Sequence, residues 1–225
     1  MKFGYPCRWL AETESTNDVA REWALAGAGE GAVVVAARQT RGRGRRERKW
    51  ESPPGTGLYA SFILRPGWLA KKAPHLAILG GMAAFRAVEK AGVKNLRVKW
   101  PNDILAAGRK ICGVLVEPRI GQDRIEFAVV GIGINVGQAA DGFPPELREI
   151  ATSCRIEGVA ISVDHLLEFL VESLQQACET PFDVLCAGWY TAGAREEEPG
   201  KTTPRPFWTH TGPAPSGPSA RTRGI

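Results

Sequence analysis

Residues 32–37 read Ala-Val-Val-Val-Ala-Ala, an apolar run of the length of one β-strand. Strands exposed on one face alternate apolar and polar residues, whereas strands covered on both faces read as continuous apolar runs. The run therefore predicts a strand covered on both faces. The chain leaves this strand directly into a basic loop, Arg38–Trp50, which is rich in arginine and glycine. This loop is thus expected to start at the end of a strand buried in the core.

The remaining hydrophobic pattern predicts an α+β domain, a mixed β-sheet of six or seven strands with helices packed on one face. Further strands are predicted at about residues 7–13, 58–64, 96–100, 103–107, 111–116 (continuing towards 120) and 125–136. Helices are predicted at about residues 16–27, 74–91, 163–178 and 182–189. Ser15 and Ser162 each precede one of these helices, where serine is a favoured N-cap.

The predicted domain covers residues 1–190, and residues 191–225 differ from it in composition. This tail contains six prolines and five glycines and has little aliphatic content. Such a segment cannot bury enough apolar surface to fold alone, so we expect it to be disordered. No apolar run is long enough for a membrane span. The five cysteines show no metal-ligand spacing, which favours reduced thiols and a cytoplasmic location.

The basic loop concentrates the charge of the protein. Residues 41–49 carry six cations and one anion, a net charge of +5 that equals the formal net charge of the whole chain. Gly42 and Gly44 interrupt the arginines and give the backbone access to positive φ, which would let the loop close. Arginines on such a loop suit phosphate or carboxylate. A solvated charge run and a nucleic-acid surface are the alternatives, although the cations are confined to nine residues.

Three other segments combine polar residues or glycines with a position at or near the end of a predicted helix or strand. Ser15-Thr16-Asn17 lies at a predicted helix start, where backbone N–H groups point outward and suit a polar head group. Lys99, Asp103 and Lys110 lie at the ends of short neighbouring strands and are expected to converge on one cavity. A lysine there would stabilise negative charge developing at phosphorus. A carboxylate there would orient or deprotonate an attacking amine, or hold Mg²⁺ through water.

The third of these segments is Gly131-Ile132-Gly133-Ile134-Asn135-Val136-Gly137 in the last predicted strand. Its glycine spacing differs from the dinucleotide-binding fingerprint. Glycines within a strand indicate that a ligand or another part of the chain approaches closely. Asn135 would then be placed to pair with a base edge such as that of adenine.

These motifs occur in one order along the chain: Ser-Thr-Asn, Gly-Arg-Gly-Arg-Arg with Lys-Trp, Lys-Trp-Pro-Asn-Asp, Arg-Lys before Ile-Cys-Gly-Val-Leu-Val-Glu, and Gly-Ile-Gly-Ile-Asn. The set resembles the biotin–protein ligases over about residues 10–190. The resemblance implies the biotin ligase catalytic fold, which is similar to that of class II aminoacyl-tRNA synthetases. It implies activation of biotin by ATP and Mg²⁺ to biotinyl-5'-AMP. It also implies transfer of biotin to a lysine of the biotin carboxyl carrier protein of acetyl-CoA carboxylase.

The resemblance assigns roles to residues that match the motifs of the family. The catalytic residues it implies are Lys110, Arg45 and Asp103. The biotin-binding residues it implies are Ser15, Thr16, Asn17, Gln39, Arg43, Gly44, Arg45, Lys110 and Gly113. The residues it implies for ATP or the adenylate are Arg43, Arg45, Arg48, Trp50, Lys99, Asn102 and Asn135. It identifies no direct metal ligands.

The sequence departs from the family pattern at both ends. Many members carry an N-terminal DNA-binding domain, but here the motifs begin within the first fifteen residues, so we expect a ligase that does not bind DNA. Members usually end in a small β-barrel, in place of which this chain has its Pro- and Gly-rich tail. An altered reading frame near residues 191–198 would explain that difference.

Two other functions compete with the biotin ligase interpretation. A lipoate-attaching enzyme has a similar fold, although the Gly-Arg-Gly-Arg-Arg segment argues against it. A nucleic-acid-binding module would use the basic loop and would bind DNA with a steep salt dependence.

Overall fold

The computed structural model describes residues 3–193, in which a seven-stranded mixed sheet forms the centre of the domain. The strands follow the order β1-β2-β3-β7-β6-β5-β4 across the sheet. Their bounds are β1 Cys7–Leu10, β2 Val33–Ala36, β3 Gly57–Leu64, β4 Leu96–Lys99, β5 Asp103–Ala106, β6 Arg109–Gly121 and β7 Arg124–Asn135. The predicted mixed sheet is confirmed.

Only the first pair of strands makes the sheet mixed. β1 pairs with β2 in parallel, and every other neighbouring pair is antiparallel. β6 and β7 form the longest hairpin, and Gln122 and Asp123 in its turn both have positive φ. In this hairpin Gly113 lies directly opposite Gly133, and Leu115 lies opposite Gly131. Partners in such a register share one face of the sheet, so three glycines lie close together on that face.

Four helices accompany the sheet, with bounds α1 Thr16–Leu25, α2 His75–Lys90, α3 Val163–Glu179 and α4 Phe182–Gly193. α2 packs against the face that carries Val114 and Val130. A Cβ added at Gly80 of α2 would lie 2.8 Å from a methyl group of Val130, so this glycine permits the close approach. α3 and α4 in turn pack against α2, and Trp189 of α4 fills the space above Gly81.

α1 lies on the other face of the sheet, which corrects part of the prediction. The expectation of helices on one face holds for α2 and the helices packed on it. α1 instead packs its Ala20 and Ala24 against Val34, Ile63 and Val129, whose side chains point away from α2. The physical reason lies in β2, because all four of its residues are buried and need a layer on each side. The apolar run 33–36 already carried that information.

The described residues extend three positions beyond the predicted end of the domain. Residues 191–193 were expected in the tail, but they complete α4. The remainder of the predicted disordered tail, 194–225, lies outside the described residues. Among residues 3–193, no helix is long and apolar enough to cross a membrane.

The cysteines give a simple test of the fold. All five are free thiols, with Cys112 and Cys154 buried and Cys7 exposed on the edge strand. Burial raises the pKa of Cys154 to about 11 and that of Cys112 well above its ordinary value. Burial also raises the pKa of Cys7, but its side chain is exposed and the other two are buried, so a maleimide at pH 8 is expected to modify Cys7 well before them. Mass spectrometry of the labelled peptides checks this, and fast labelling of native Cys112 would contradict the packing.

Candidate active site

One cavity of about 620 Å³ opens on the α1 face of the sheet. Every residue to which the family resemblance assigned a role lines it, although these residues are far apart in the chain. They are Ser15, Thr16, Asn17, Gln39, Arg43, Gly44, Arg45, Arg48, Trp50, Lys99, Asn102, Asp103, Lys110, Gly113 and Asn135. The wall that the sequence did not predict comes from residues 143–151, where Phe143, Leu147, Glu149 and Ile150 line the cavity.

The first turn of α1 forms the polar end of the cavity. The backbone N–H of Thr16 donates to Gln39 Oε1 over 2.8 Å, and the Thr16 hydroxyl lies 3.1 Å from the same oxygen. Gln39 Nε2 donates in turn to Ser52 Oγ over 2.9 Å. Ser15 occupies the N-cap position, but its side chain accepts no capping hydrogen bond. Its hydroxyl is therefore not used in capping the helix, which leaves it for other partners in the cavity.

Asn17 connects this end of the cavity to the sheet. Ser61 Oγ donates to Asn17 Oδ1 over 2.6 Å, and Asn17 Nδ2 donates to Glu117 Oε2 over 2.7 Å. A Cβ at Gly131 would lie 2.1 Å from Asn17 Oδ1, so only glycine fits there. The close approach that the glycines of β7 predicted is thus made, at Gly131, by a side chain of the same protein.

Trp50 accounts for the two other glycines of the hairpin. Its indole lies across Gly113 and Gly133, where added Cβ atoms would come within 3.1 and 2.6 Å of ring atoms. Trp50 Nε1 is buried and donates to no acceptor among the described residues. Lys110 Nζ lies 5.2 Å from the centre of the ring, within cation–π range. The hairpin glycines therefore provide a flat floor that accepts an aromatic ring.

Lys110 and Asp103 meet as predicted, with Lys110 Nζ 2.8 Å from Asp103 Oδ1. The contact is an ion pair without hydrogen-bond alignment, since Asp103 Oδ1 receives no hydrogen bond from the described residues. The backbone of Lys110 is held on both sides. It pairs with Leu105 of β5, and its N–H and C=O bond to Ile150 and Thr152. Lys99 pairs with Asp103 in the β4–β5 register, but its side chain is exposed at the rim.

The basic loop is a short hairpin in this structure. Arg43 and Lys49 form an antiparallel bridge, and a 3-10 turn at Arg45–Glu47 closes the tip. Gly42 and Gly44 do not adopt the positive φ that their presence suggested, and the residue that does is Arg46 with φ +55°. Gly42 is needed for space instead, because a Cβ there would lie 2.5 Å from the Trp50 carbonyl oxygen.

The cations of the loop are not all available to a ligand. Arg43 makes two short contacts with the carboxylate of Asp18, over 2.6 and 2.7 Å. Arg41 pairs with Glu14 over 3.1 Å, and Lys49 pairs with Glu51 over 2.7 Å. Hydrogen bonding to Arg43 holds the pKa of Asp18 below its ordinary value and raises that of Arg43. The formal charge of +5 in the loop is therefore partly compensated by carboxylates from neighbouring segments.

The arginines nearer the tip have fewer partners. Arg45 Nη1 donates to Asn102 Oδ1 over 3.3 Å and so connects the loop to the opposite side of the cavity. Among the side chains that the structure describes, none forms an ion pair with Arg46 or Arg48. Within the described side chains, the loop arginines without a carboxylate partner are thus Arg45, Arg46 and Arg48, at or next to the tip.

Asn135 is less free than the sequence suggested. Its Nδ2 donates to the Thr152 carbonyl over 2.8 Å, and its Oδ1 accepts from Gln138 over 3.4 Å. The residue is buried, and its amide mainly holds the segment at residues 150–152 against β7. The second N–H of the same amide faces the Lys110 carbonyl oxygen over 3.5 Å. Pairing with a base edge would therefore displace this long contact rather than the one with Thr152.

Three functional contacts escaped the sequence. Asp18 and Ser61 were not singled out by the sequence, and Glu117 had no assigned role although it is the last residue of the Ile-Cys-Gly-Val-Leu-Val-Glu motif. Asp18 directly follows Asn17, and Ser61 lies opposite Gly131 in the sheet, so proximity to a motif was the available signal. As for metals, residues 3–193 contain no group of three or more His, Cys, Asp or Glu side chains that could hold an ion.

Comparison with protein families places the fold. Residues 9–135 match the model of the biotin/lipoate A/B protein ligase family. The chain is 46% identical over 139 residues to the bifunctional ligase/repressor BirA of Bacillus spizizenii, covering 62% of this chain and 43% of that protein. It is 37% identical over 134 residues to the biotin–[acetyl-CoA-carboxylase] ligase of Paracoccus denitrificans, covering 59% and 55%. The chain spans about half the length of these relatives.

Solved structures with the same fold include ligand complexes. The biotin protein ligase of Aquifex aeolicus in complex with biotin and ATP superposes with a TM-score of 0.71 at 31% identity, covering 84% of this chain and 79% of that one. The biotin protein ligase of Leishmania major in complex with biotinyl-5-AMP gives a TM-score of 0.69 at 27% identity, covering 88% and 87%. The α+β architecture is therefore that of a biotin ligase catalytic domain.

Proposed function

Because the chain belongs to the biotin/lipoate A/B protein ligase family, we propose that it activates biotin with ATP and transfers it to a protein lysine. The intermediate is biotinyl-5'-AMP, and the acceptor is the biotin carboxyl carrier protein of acetyl-CoA carboxylase. The observation that carries this proposal is the single cavity that joins the polar start of α1, the Lys110–Asp103 pair and the arginine loop. It combines a site for an uncharged polar head group with one for phosphate.

The first half-reaction brings two anions together. A carboxylate oxygen of biotin attacks the α-phosphorus of ATP, the bond to the pyrophosphate oxygen breaks, and pyrophosphate leaves. Ser15, Thr16 and Gln39 would hold the biotin head group at the polar end of the cavity. Lys110 Nζ would stabilise the negative charge that develops on the phosphoryl oxygens, and Asp103 fixes its position. The Trp50 indole, which lies on Gly113 and Gly133, gives the cavity a flat aromatic surface that suits stacking of a planar ring such as adenine.

The second half-reaction uses the acceptor amine. The lysine nitrogen attacks the acyl carbon of the mixed anhydride, the acyl–oxygen bond to phosphate breaks, and AMP leaves with the electron pair. Asp103 lies beside Lys110 and is placed to receive the proton that the amine loses. Until then the anhydride needs protection from water, which the basic loop supplies by spanning the cavity from Arg43 to Asn102.

Mg²⁺ fits this site as a companion of ATP. It commonly binds through substrate phosphates and one or two carboxylates, so the absence of a three-ligand group among residues 3–193 is compatible with it. Asp103 and Glu149 would contribute, since Glu51, which also lines the cavity, is paired with Lys49. When bound, Mg²⁺ would neutralise phosphate charge and so assist the approach of the biotin carboxylate.

The direct test is pyrophosphate exchange. Purified protein with ATP, Mg²⁺ and labelled pyrophosphate is expected to form labelled ATP when biotin is added, and not when lipoate replaces it. Adding a carrier domain with its acceptor lysine should then yield biotinylated carrier. Exchange that depended on lipoate would assign the chain to the other branch of the family, and exchange with neither acid would refute the proposal.

Removing Arg45 tests the role of the loop. Arg45→Ala deletes the contact from the loop to Asn102, so the loop should open more often and release the adenylate. We expect biotin-dependent pyrophosphate exchange to persist while biotin labelling of proteins other than the acceptor rises by about tenfold. A tenfold change corresponds to about 1.4 kcal/mol in the free energy of loop closing. The matched control is Arg119→Ala, which breaks a surface pair with Glu126 away from the cavity. Labelling confined to the usual acceptor at the normal rate would contradict this role.

A further inference from the structure

We infer that Asp18 is a positioning residue that anchors the base of the basic loop through Arg43. The inference rests on the proposed function, because the anchored loop is the one that would retain the adenylate. Asp18 itself touches neither the reacting atoms nor the acceptor in this account. Its effect passes entirely through the guanidinium that it holds.

The first support is the geometry of the contact. Arg43 Nη1 and Nη2 donate separately to the two oxygens of Asp18, over 2.6 and 2.7 Å. Paired, parallel hydrogen bonds of this kind are stronger and more directional than single ion contacts at a surface. Both side chains are about one third exposed, so water screens the pair less than it screens the loop tip.

The second support is where the contact lies. Asp18 belongs to the first turn of α1, a helix packed on the sheet through Ala20 and Ala24. Arg43 forms the bridge with Lys49 that closes the base of the loop. Fixing Arg43 therefore fixes the point from which the tip and Arg45 extend over the cavity. Arg41 is also paired, but both partners of its contact with Glu14 are more than half exposed.

The third support is a link to the polar end of the cavity. Arg43 Nη2 also lies 3.6 Å from Glu117 Oε1, and Glu117 Oε2 accepts a hydrogen bond from Asn17 Nδ2. Asn17 is itself bonded to Ser61. One ion pair and one hydrogen bond thus connect Arg43 to Asn17, in the same helical turn as the proposed biotin site.

The test measures the loop directly, without ligand and without activity. Hydrogen exchange of the backbone amides at residues 41–50 is compared between the natural protein and Asp18→Ala. Loss of the anchor should accelerate exchange there by roughly five- to tenfold, the range expected for losing a good bidentate pair. The hydrogen-exchange rates of the β6–β7 hairpin should not change. Glu12→Ala is the matched control, since Glu12 pairs over 2.8 Å with Arg38, the first residue of the loop, which lies outside the measured amides 41–50.

A double-mutant cycle tests whether Asp18 acts on the loop through Arg43. In an Arg43→Ala background, Asp18→Ala should add no further acceleration, because both changes remove the same interaction. Asp18→Glu should restore part of the protection. Equal rates of hydrogen exchange at residues 41–50 in Asp18→Ala and Glu12→Ala would overturn the inference. So would fully additive effects of Asp18→Ala and Arg43→Ala on those rates. If Asp18→Ala accelerates hydrogen exchange throughout the domain, Asp18→Asn, which preserves side-chain size, replaces it. Its hydrogen exchange at residues 41–50 is then compared with that of Glu12→Ala.

A catalytic readout separates positioning from general structural damage. In Asp18→Ala, biotin-dependent pyrophosphate exchange should stay within about twofold of normal while adenylate release rises by roughly five- to tenfold, the split expected when a closing element is loosened. If pyrophosphate exchange and adenylate release fell together, the role of Asp18 would be merely structural, and the inference would be overturned. If the natural protein shows no biotin-dependent exchange, the proposed function fails. The hydrogen-exchange comparison still decides whether Asp18 anchors the loop.

Discussion

Lys110→Ala is expected to lower biotin-dependent pyrophosphate exchange by about a hundredfold to a thousandfold, as when a preorganised charge-stabilising group is removed from an active site. Lys110 is one of the cations that line the cavity, and its amine lies 2.8 Å from Asp103 and 5.2 Å from the Trp50 ring centre. Its removal takes away transition-state stabilisation. It also leaves the Asp103 carboxylate uncompensated beside the place where phosphate would bind.

These two effects can be separated. Lys110→Ala combined with Asp103→Asn removes the unpaired carboxylate, so ATP binding should recover while the rate of exchange stays low. The matched control is Lys94→Ala, which removes an exposed lysine away from the cavity and should leave exchange unchanged. Exchange that was undiminished in Lys110→Ala would remove this residue from the mechanism.

Gly133→Ala is expected to weaken ATP binding by about tenfold and to lower the free energy of unfolding by about 1–3 kcal/mol, the usual cost of overpacking. The added Cβ would lie 2.6 Å from the Trp50 ring, well inside van der Waals contact, so the indole must leave the floor formed by the glycines. Titration calorimetry with ATP and denaturant unfolding measure the two effects.

The double variant with Trp50→Ala tests the cause of the loss. If the clash with the indole is responsible, Gly133→Ala should cost far less stability in that background. Gly142→Ala is the control, because a Cβ at Gly142 has no atom within 4 Å and its φ is not positive. If Gly133→Ala were as stable as this control, the Trp50 indole would be able to move away without lowering the free energy of unfolding.

Local patterns were sufficient to predict the elements of the fold. The apolar runs and the spacing of Leu and Ala residues placed the seven strands and four helices within a few residues, because period and length are properties of short segments. The convergence of Lys110 with Asp103 was also predictable, since both lie at ends of strands that adjoin along the chain. Residues 143–151 gave no such signal, and their place in the cavity wall depends on how they pack.

The partners of the arginines could not be predicted in the same way. Arg43 contacts Asp18 and Glu117, which lie 25 and 74 positions away along the chain, and only the folded sheet brings them together. Counting charges in the loop therefore overstated its free charge. The glycines of β7 show a similar limit, because the sequence required a close approach but could not name Asn17 and Trp50 as the groups that make it.

Lys110 and the basic loop are attached to different parts of the sheet. The backbone of Lys110 is clamped between β5 and residues 150–152, whereas the loop is continuous with β2 and tied to α1 through Asp18. Substitutions in one attachment need not disturb the other. Evolution or protein engineering could therefore tune how long an activated acyl group is retained without altering how fast it is made, and acceptor selectivity could drift while the activation chemistry is conserved.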